Sequence, residues 1–188
     1  MQDDILDFWF GSRSGAEYGK PRALWFRKDA AVDETIRARF GVAVETALAG
    51  GFAEWTAPRD ALARVLLLDQ FTRNIFRDTP RAFAGDALAL DVSTAVVANR
   101  GDRMLAPVER WFLYMPFEHA EDSAAQHASL ELFTRLRDET SLGDPLSWAE
   151  RHAAVIRRFG RYPHRNAILG RESTAEEIEF LAKPGSGF

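Results

Sequence analysis

Three groups of polar side chains carry the residue types that bind anions or move protons. The first comprises Asp69, Gln70, Arg73, Asn74 and Arg77, at the end of an apolar run. Asp69 and Arg73 are four positions apart, which places them on one strip of a helix. The same spacing links Gln70 to Asn74. Two interpretations stay open, a ligand site or a buried salt bridge that orients helices, because a partly buried Asp needs a partner such as Arg.

The second group, Glu118, His119, Glu121 and Asp122, follows Pro116. If a helix begins near Glu118, this carboxylate, His119 and Asp122 face one direction. Oxygen ligands with one imidazole suit a divalent metal, but the spacing matches no specific metal motif, and acidic residues at a helix start are expected from the helix dipole alone. We therefore predict neither a metal nor a cofactor. Glu118 and His119 are instead candidates for acid-base chemistry, since imidazole titrates near neutrality.

The third group lies in the segment from Arg151 to Arg171, which holds six Arg, two His and no acidic residue. Arg161, His164 and Arg165 flank a proline in a loop between helices, where convergent guanidinium groups suit phosphate or carboxylate. The alternative is that these Arg residues lie on a solvated helix face or pair with distant carboxylates. His152, on the apolar stripe of a helix, is interpreted as a core histidine.

Several function classes are excluded by what the sequence lacks. Without cysteine there are no disulfides, thiolate zinc sites or cysteine nucleophiles. Gly-x-Ser-x-Gly, phosphate-loop and dinucleotide-binding patterns are missing as well. The net charge of -4 argues against general nucleic-acid affinity. No apolar run is long enough to span a membrane, and the N-terminus is acidic where a secretory signal is basic. We expect a cytoplasmic protein without nucleic-acid or membrane partners.

Helical periodicity positions these groups. Its clearest case is Ile36, Phe40, Val44 and Leu48, closed by the stop signal Gly50-Gly51. Further helices are predicted at Ile5 to Phe10, Thr56 to Phe71, Asp86 to Asn99, Pro107 to Pro116 and Glu121 to Arg137. Another is predicted after the turn Gly143-Asp144-Pro145, with Trp148 to Phe159 at helical spacing, and a last one after Ser173-Thr174. No stretch alternates apolar and polar residues over enough positions to predict a β-strand. The sequence thus predicts an all-α protein, one domain over residues 1–188, built of stacked antiparallel helical hairpins.

Four stretches resemble the bacterial domain-of-unknown-function 924 family. They are ILDFWFG at Ile5 to Gly11, LLLDQFTRNIFR at Leu66 to Arg77, PFEHAEDSAAQ at Pro116 to Gln126, and RFGRYPHRNAILGREST at Arg158 to Thr174. The resemblance implies a tetratricopeptide-like (TPR-like) α-α superhelix but no established activity or catalytic residue. The family often has Pro where this chain has Thr72, so we expect the helix to continue further here before it turns.

Because each polar group follows the apolar part of a helix, we expect the three groups to converge on one polar concavity. The predicted function is binding of a small anionic metabolite or a peptide carboxylate, with Arg side chains as clamps and amides as orienting groups. The predicted ligand-binding residues are Asp69, Gln70, Arg73, Asn74, Arg161, Arg165 and Asn166.

Two alternatives from other classes stay open. The first is an enzyme, a hydrolase or lyase, in which Glu118, His119 or His164 acts as acid or base around the same anion. The second is a protein-protein interaction scaffold, whose groove binds a partner helix or tail while the polar clusters are purely structural. The sequence does not set the oligomeric state.

Overall fold

The computed structural model describes residues 1–140 and 142–186, and over these residues it contains helices and turns but no strand. The all-α prediction is confirmed. The α-helices are α1 (Gln2–Phe10), α2 (Ala30–Leu48), α3 (Pro58–Val65), α4 (Thr72–Ile75), α5 (Asp86–Ala98), α6 (Pro107–His119), α7 (Ser123–Glu139), α8 (Pro145–Phe159) and α9 (Ala175–Leu181). A π-helix (Leu66–Phe71) joins α3 to α4, and short 3-10 helices lie at Ala23–Trp25, Pro80–Phe83, Gly101–Met104 and Pro163–Arg165.

Helix α2 forms as its periodicity predicts. Asp29 precedes the first turn and accepts hydrogen bonds from the backbone N–H groups of Ala31 and Val32, which satisfies donors that a helix start leaves open. The buried face carries Ile36 and Val44, both without exposed surface. The helix stops at Leu48, as the following glycines indicate.

Aromatic side chains hold α1 in the core. The ring of Trp9 lies 5.4 Å from that of Phe71 and 5.5 Å from that of Phe112, while Phe10 lies 5.4 Å from the same Phe112 ring. Edge-on and tilted contacts of this kind add to the burial of apolar area. They link the N-terminal helix both to the π-helix and to α6, the two elements that carry the polar groups of interest.

The chain from Pro58 to Ile75 is helical throughout but changes its winding. It begins at Pro58, and Ala57 rather than the expected Thr56 occupies the capping position, with no side-chain hydrogen bond. All six residues of the π-helix are buried, including Asp69 and Gln70. The wider turn of a π-helix is often found at functional sites. The helix also continues through Thr72, as expected, with the hydroxyl of Thr72 bonded to the carbonyl of Leu68 at 2.9 Å.

Pro116 neither ends α6 nor separates it from Glu118, contrary to the prediction. The helix continues to His119, and α7 begins at Ser123 with Asp122 as its cap. Proline removes one backbone donor, but every residue from Phe112 to His119 is buried, so packing on all sides holds the helix together. Glu118 and His119 therefore lie at the end of α6, not at the start of α7.

The later helices pack in chain order, α5 on α6, α6 on α7 and α7 on α8. This order places the end of α6 next to the π-helix on one side and α8 on the other. No helix in the described part of the chain combines the length and apolarity needed to cross a bilayer.

The contact between Gly85 and the π-helix gives a direct test of this packing. A Cβ atom at Gly85 would lie 2.2 Å from the carbonyl oxygen of Leu68, which is backbone and cannot rotate away. We expect Gly85→Ala to lower the free energy of unfolding by about 1–3 kcal/mol, the usual range for overpacking. Urea denaturation measures this difference.

Gly41 offers the matched control, because it lies inside α2 and a Cβ there meets nothing within 4 Å. Gly41→Ala should raise stability by about 0.5–1 kcal/mol, since glycine is unfavourable inside a helix. If Gly85→Ala were as stable as Gly41→Ala, the close approach of residue 85 to the π-helix would be wrong.

Candidate functional site

A fully buried carboxylate, Asp69 of the π-helix, organises the polar interior. Its Oδ1 atom lies 2.7 Å from Nδ1 of His119, at the end of α6. Nε2 of Gln70 donates to Oδ2 at 2.5 Å, and a guanidinium nitrogen of Arg73 lies 3.2 Å from Oδ1. The predicted Asp69–Arg73 pair is thus formed, and an imidazole fifty positions away completes it.

Charge and hydrogen bonding keep Asp69 ionised. Burial opposes ionisation, but the charge of Arg73 and the contact with His119 hold the pKa of Asp69 well below its usual value. Burial lowers the pKa of His119, against the attraction of Asp69. Since a carboxylate only accepts, Nδ1 of a neutral His119 carries the proton, which leaves Nε2 with a lone pair. This is the arrangement in which an imidazole accepts a proton from a bound molecule.

Glu118, adjacent to His119 in sequence, has the opposite electrostatics. It is 3 % exposed, and burial together with the nearby charge of Asp69 raises its pKa to about 8. Its Oε1 atom lies 3.1 Å from Nδ1 of His152, while its Oε2 atom is buried and has no hydrogen-bond partner. Near neutral pH Glu118 is therefore a protonated acid beside an ionised one, a combination that separates proton donor from proton acceptor.

His152 of α8 is held as a neutral ring. Its Nδ1 atom lies 2.9 Å from the carbonyl oxygen of Trp148, and since a carbonyl only accepts, this nitrogen carries the proton. Burial lowers the pKa of His152 to about 3. The expectation of a core histidine is met, but the ring also contacts Glu118 and lies 6.2 Å from that of His119.

Two arginines converge on a single carboxylate at the edge of this interior. Arg73 donates to both oxygens of Asp86 at 2.9 and 3.1 Å, and Arg165 lies 3.3 Å from Oδ2 of the same group. Both guanidinium groups face the ring of Phe83, at 5.6 and 4.6 Å from its centroid. Arg165 also donates to the carbonyl of His119 at 3.1 Å, whereas its buried Nε atom has no partner.

We call this set the Asp69 cluster. It comprises Asp69, Gln70, Arg73, Asp86, Glu118, His119, His152 and Arg165. Tyr162 borders it, since its hydroxyl donates to the carbonyl of Glu118 at 2.5 Å. The ring of His164 lies 5.6 Å from that of Tyr162, and burial together with the charge of Arg165 lowers the pKa of His164 to about 4.

Other predicted site residues bond elsewhere. Arg161 holds Glu177 with two hydrogen bonds of 2.7 and 2.8 Å, and Asn166 donates to Ser173 and to the same Glu177. These bonds fasten the start of α9. The three sequence groups thus meet only in part, through Asp69, Arg73, Glu118, His119 and Arg165.

Asn74 and Arg77 face α2 instead. Both donate to the carboxylate of Asp33, the first at 2.7 Å and the second at 2.8 and 2.9 Å. Arg171 pairs with Glu121 at 2.6 and 2.9 Å. The acid-poor segment after residue 151 therefore finds some of its partners on distant elements. Among the described residues, no group of three or more His, Asp and Glu side chains is arranged to hold a metal ion.

Sequence reasoning missed Asp86 and Phe83. Asp86 reads as an ordinary acidic residue in the first turn of a helix, and Phe83 as a loop aromatic. The surplus of Arg after residue 151 pointed to a missing carboxylate but not to which one. Sequence reasoning also missed the contact of His152 with Glu118. Helical spacing predicts the face of the helix on which a residue lies, but not the residue that it contacts.

The raised pKa of Glu118 makes stability depend on pH in a defined direction. In the folded protein this carboxyl stays protonated up to a pH of about 8, because its pKa is raised to that value. In the unfolded chain it loses its proton near the ordinary pKa of 4.5. Stability from this group is therefore present at low pH and is lost as the pH rises through 8. Glu118→Gln does not titrate and preserves the acceptor for His152.

Urea denaturation of both proteins between pH 5 and 8.5 measures the effect. We expect the free energy of unfolding of the variant to rise, relative to that of the wild type, by more than about 1 kcal/mol over this pH range. A tenfold change in proton affinity corresponds to about 1.4 kcal/mol. The buried histidines contribute with the opposite sign in both proteins, so the difference isolates Glu118. A difference that is constant with pH would contradict the assignment.

Comparison with known proteins places the chain in a family. The family described as "Bacterial protein of unknown function (DUF924)" matches residues 5–185. A protein of unknown function, ATU0120 from Agrobacterium tumefaciens, has a similar solved structure, with a TM-score of 0.83, 39 % sequence identity and 96 % of each chain covered. A search of curated proteins finds no match. The chain therefore belongs to the DUF924 family of bacterial proteins.

Proposed function

We propose that the Asp69 cluster binds a small anionic molecule, with a carboxylate group held between Arg73 and Arg165. The observation that carries this proposal is the position of Asp86, whose carboxylate lies between two guanidinium groups from distant parts of the chain. The carboxylate of Asp86 shows that the two guanidinium groups are placed to donate hydrogen bonds to a carboxylate. The side chains of Arg73 and Asp86 are 22 % and 19 % exposed, so their contact borders solvent.

Two unpartnered atoms support a ligand rather than a purely structural cluster. Nε of Arg165 is a buried donor, and Oε2 of Glu118 carries a proton to donate when the group is neutral. Buried polar groups are nearly always bonded, so each exception calls for a partner. A carboxylate, which only accepts, is complementary to both. Arg161, Asn166 and Asn74 stay outside the proposed site because their bonds to Glu177 and Asp33 belong to other contacts.

Two finer predictions accompany this proposal. One is the TPR-like superhelix, in which stacked hairpins present a concave face to a ligand or a peptide tail. The other is a location in the cytoplasm. The superhelix rests on the sequence pattern and the resemblance described above, and the location rests on the sequence pattern.

Substitution of Asp86 and Arg165 tests the binding proposal in opposite directions. Asp86→Asn removes the internal competitor, so we expect it to bind succinate or citrate at least about tenfold more tightly than the wild type. Arg165→Gln should abolish binding, while Arg161→Gln, which removes the same charge beside Glu177, should leave it unchanged. Isothermal titration calorimetry with both carboxylates measures all four proteins.

The scaffold interpretation gives a different pattern. If the cluster only orients helices, neither carboxylate binds to any of the four proteins, and Asp86→Asn loses stability because two arginines lose their partner. Equal weakening by Arg165→Gln and Arg161→Gln would also contradict the proposal, since it would indicate a nonspecific effect of charge.

Acid-base catalysis is a second candidate function, favoured by the contact of 2.7 Å between Asp69 and His119. In this scheme Nε2 of His119 accepts a proton from the bound molecule and Glu118 donates one, as a hydrolase or lyase requires. The carboxylate that binds most tightly should then be converted slowly by the wild type. We expect His119→Gln to retain binding within about threefold and to lose turnover, measured by NMR of the ligand; binding without turnover in the wild type would exclude catalysis on that compound.

A further inference from the structure

A cleft of about 560 Å³ lies away from the Asp69 cluster, between the end of α5 and the last turns of α7. Its lining consists of Val97, Ala98, Arg100, Asp102, Arg103 and Arg135. None of these residues belongs to the Asp69 cluster. Three guanidinium groups against one carboxylate give the lining an excess of positive charge, in a chain whose net charge is -4. The volume lies within the range of small-molecule sites.

The carboxylate of the cleft is already neutralised. Asp102 is buried and accepts hydrogen bonds of 2.6 Å from the hydroxyl of Tyr114 and from a guanidinium nitrogen of Arg135. Burial and this carboxylate raise the pKa of Tyr114 to about 12, so the phenol remains a donor. Asp102 therefore fixes the position of Arg135 and does not repel an anion as a free carboxylate would.

Donors remain for a ligand on all three arginines. Nε of Arg135 is buried and has no hydrogen-bond partner. Arg103 uses one nitrogen on Glu139, at 2.6 Å, and its Nε lies 4.0 Å from Asp102. The other oxygen of Glu139 accepts from Arg110, so this neighbouring acid is occupied on both sides.

Arg100 is held at the mouth of the cleft by its backbone. It adopts a left-handed conformation, with φ of 57°, that few non-glycine residues take. The following Gly101 packs closely against Pro58, since a Cβ at that position would lie 3.0 Å from the ring of Pro58. No hydrogen bond or ion pair links the Arg100 side chain to another residue in the described part of the chain, so its whole guanidinium is available.

We propose that this cleft is a second binding site, for the dianionic phosphate group of a small molecule. Arg100, Arg103 and Arg135 approach from the end of α5, the 3-10 turn and α7. Several separate guanidinium groups suit the tetrahedral oxygens of phosphate, whereas a flat carboxylate is satisfied by one or two. The apolar wall of Val97 and Ala98 contacts the carbon part of the ligand.

The experiment uses the full chain, ¹⁵N-labelled, titrated with inorganic phosphate against sodium chloride of equal ionic strength. We expect amide shifts to concentrate at residues 97–103 and around 135. Arg100→Gln should weaken phosphate binding about tenfold or more, because it removes one charge-assisted contact without breaking any bond of the fold. Arg157→Gln, an equal charge change at an exposed position of α8, should have no effect.

Three outcomes would overturn the proposal. They are shifts equal to those in sodium chloride, shifts centred on Arg73 and Arg165, and equal weakening by Arg100→Gln and Arg157→Gln. Because the cleft shares no residue with the Asp69 cluster, failure of carboxylate binding there leaves this test intact. Phosphate binding that survives Arg165→Gln and is weakened in Arg100→Gln would confirm that the cleft binds phosphate independently of the Asp69 cluster.

Discussion

The carboxylate of Asp69 is the constraint on which the interior depends. A charge without exposed surface is tolerated only when donors surround it, and Asp69 has three, from Gln70, Arg73 and His119. The first two come from the same helical stretch, in which Asp69 lies on the π-helix. The third comes from the end of α6, beyond Pro116. One buried charge thus connects both irregularities of the helical core.

Burial, together with this charge, sets the protonation of the neighbouring groups. Burial and the ionised Asp69 raise the pKa of Glu118, whereas burial lowers the pKa of His119 and of His152, so both imidazoles are neutral. The interior therefore contains an acid that holds its proton next to a ring that can take one. The surrounding apolar helices make these differences large, since a low-dielectric interior screens charge only weakly.

The sequence was sufficient for most of the helices and for part of the site. Periodicity, terminal glycines and cap residues are local signals, and they identified α2, α5, α8 and α9. The predicted helix end at Pro116 was wrong because the effect of a proline on a helix depends on tertiary packing and not only on the neighbouring sequence. The convergence of Asp69 with His119 was expected because both lie near helix ends. That Asp86, and not another acidic residue, pairs with Arg73 and Arg165 depends on how α5 packs against the π-helix. Arg161 shows the limit most clearly, since an Arg-rich loop reads equally well as a ligand clamp and as the anchor of a following helix.

The contacts of the Asp69 cluster also bear on how the protein folds during its synthesis. His119 follows Asp69 by 50 positions, and Arg165 follows Asp86 by 79. At about 5–20 residues per second, several seconds pass between the synthesis of Asp69 and that of its imidazole partner. In that interval the carboxylate has only the donors of Gln70 and Arg73. The first helices can therefore surround this carboxylate with its full set of donors only after α6 has been synthesised.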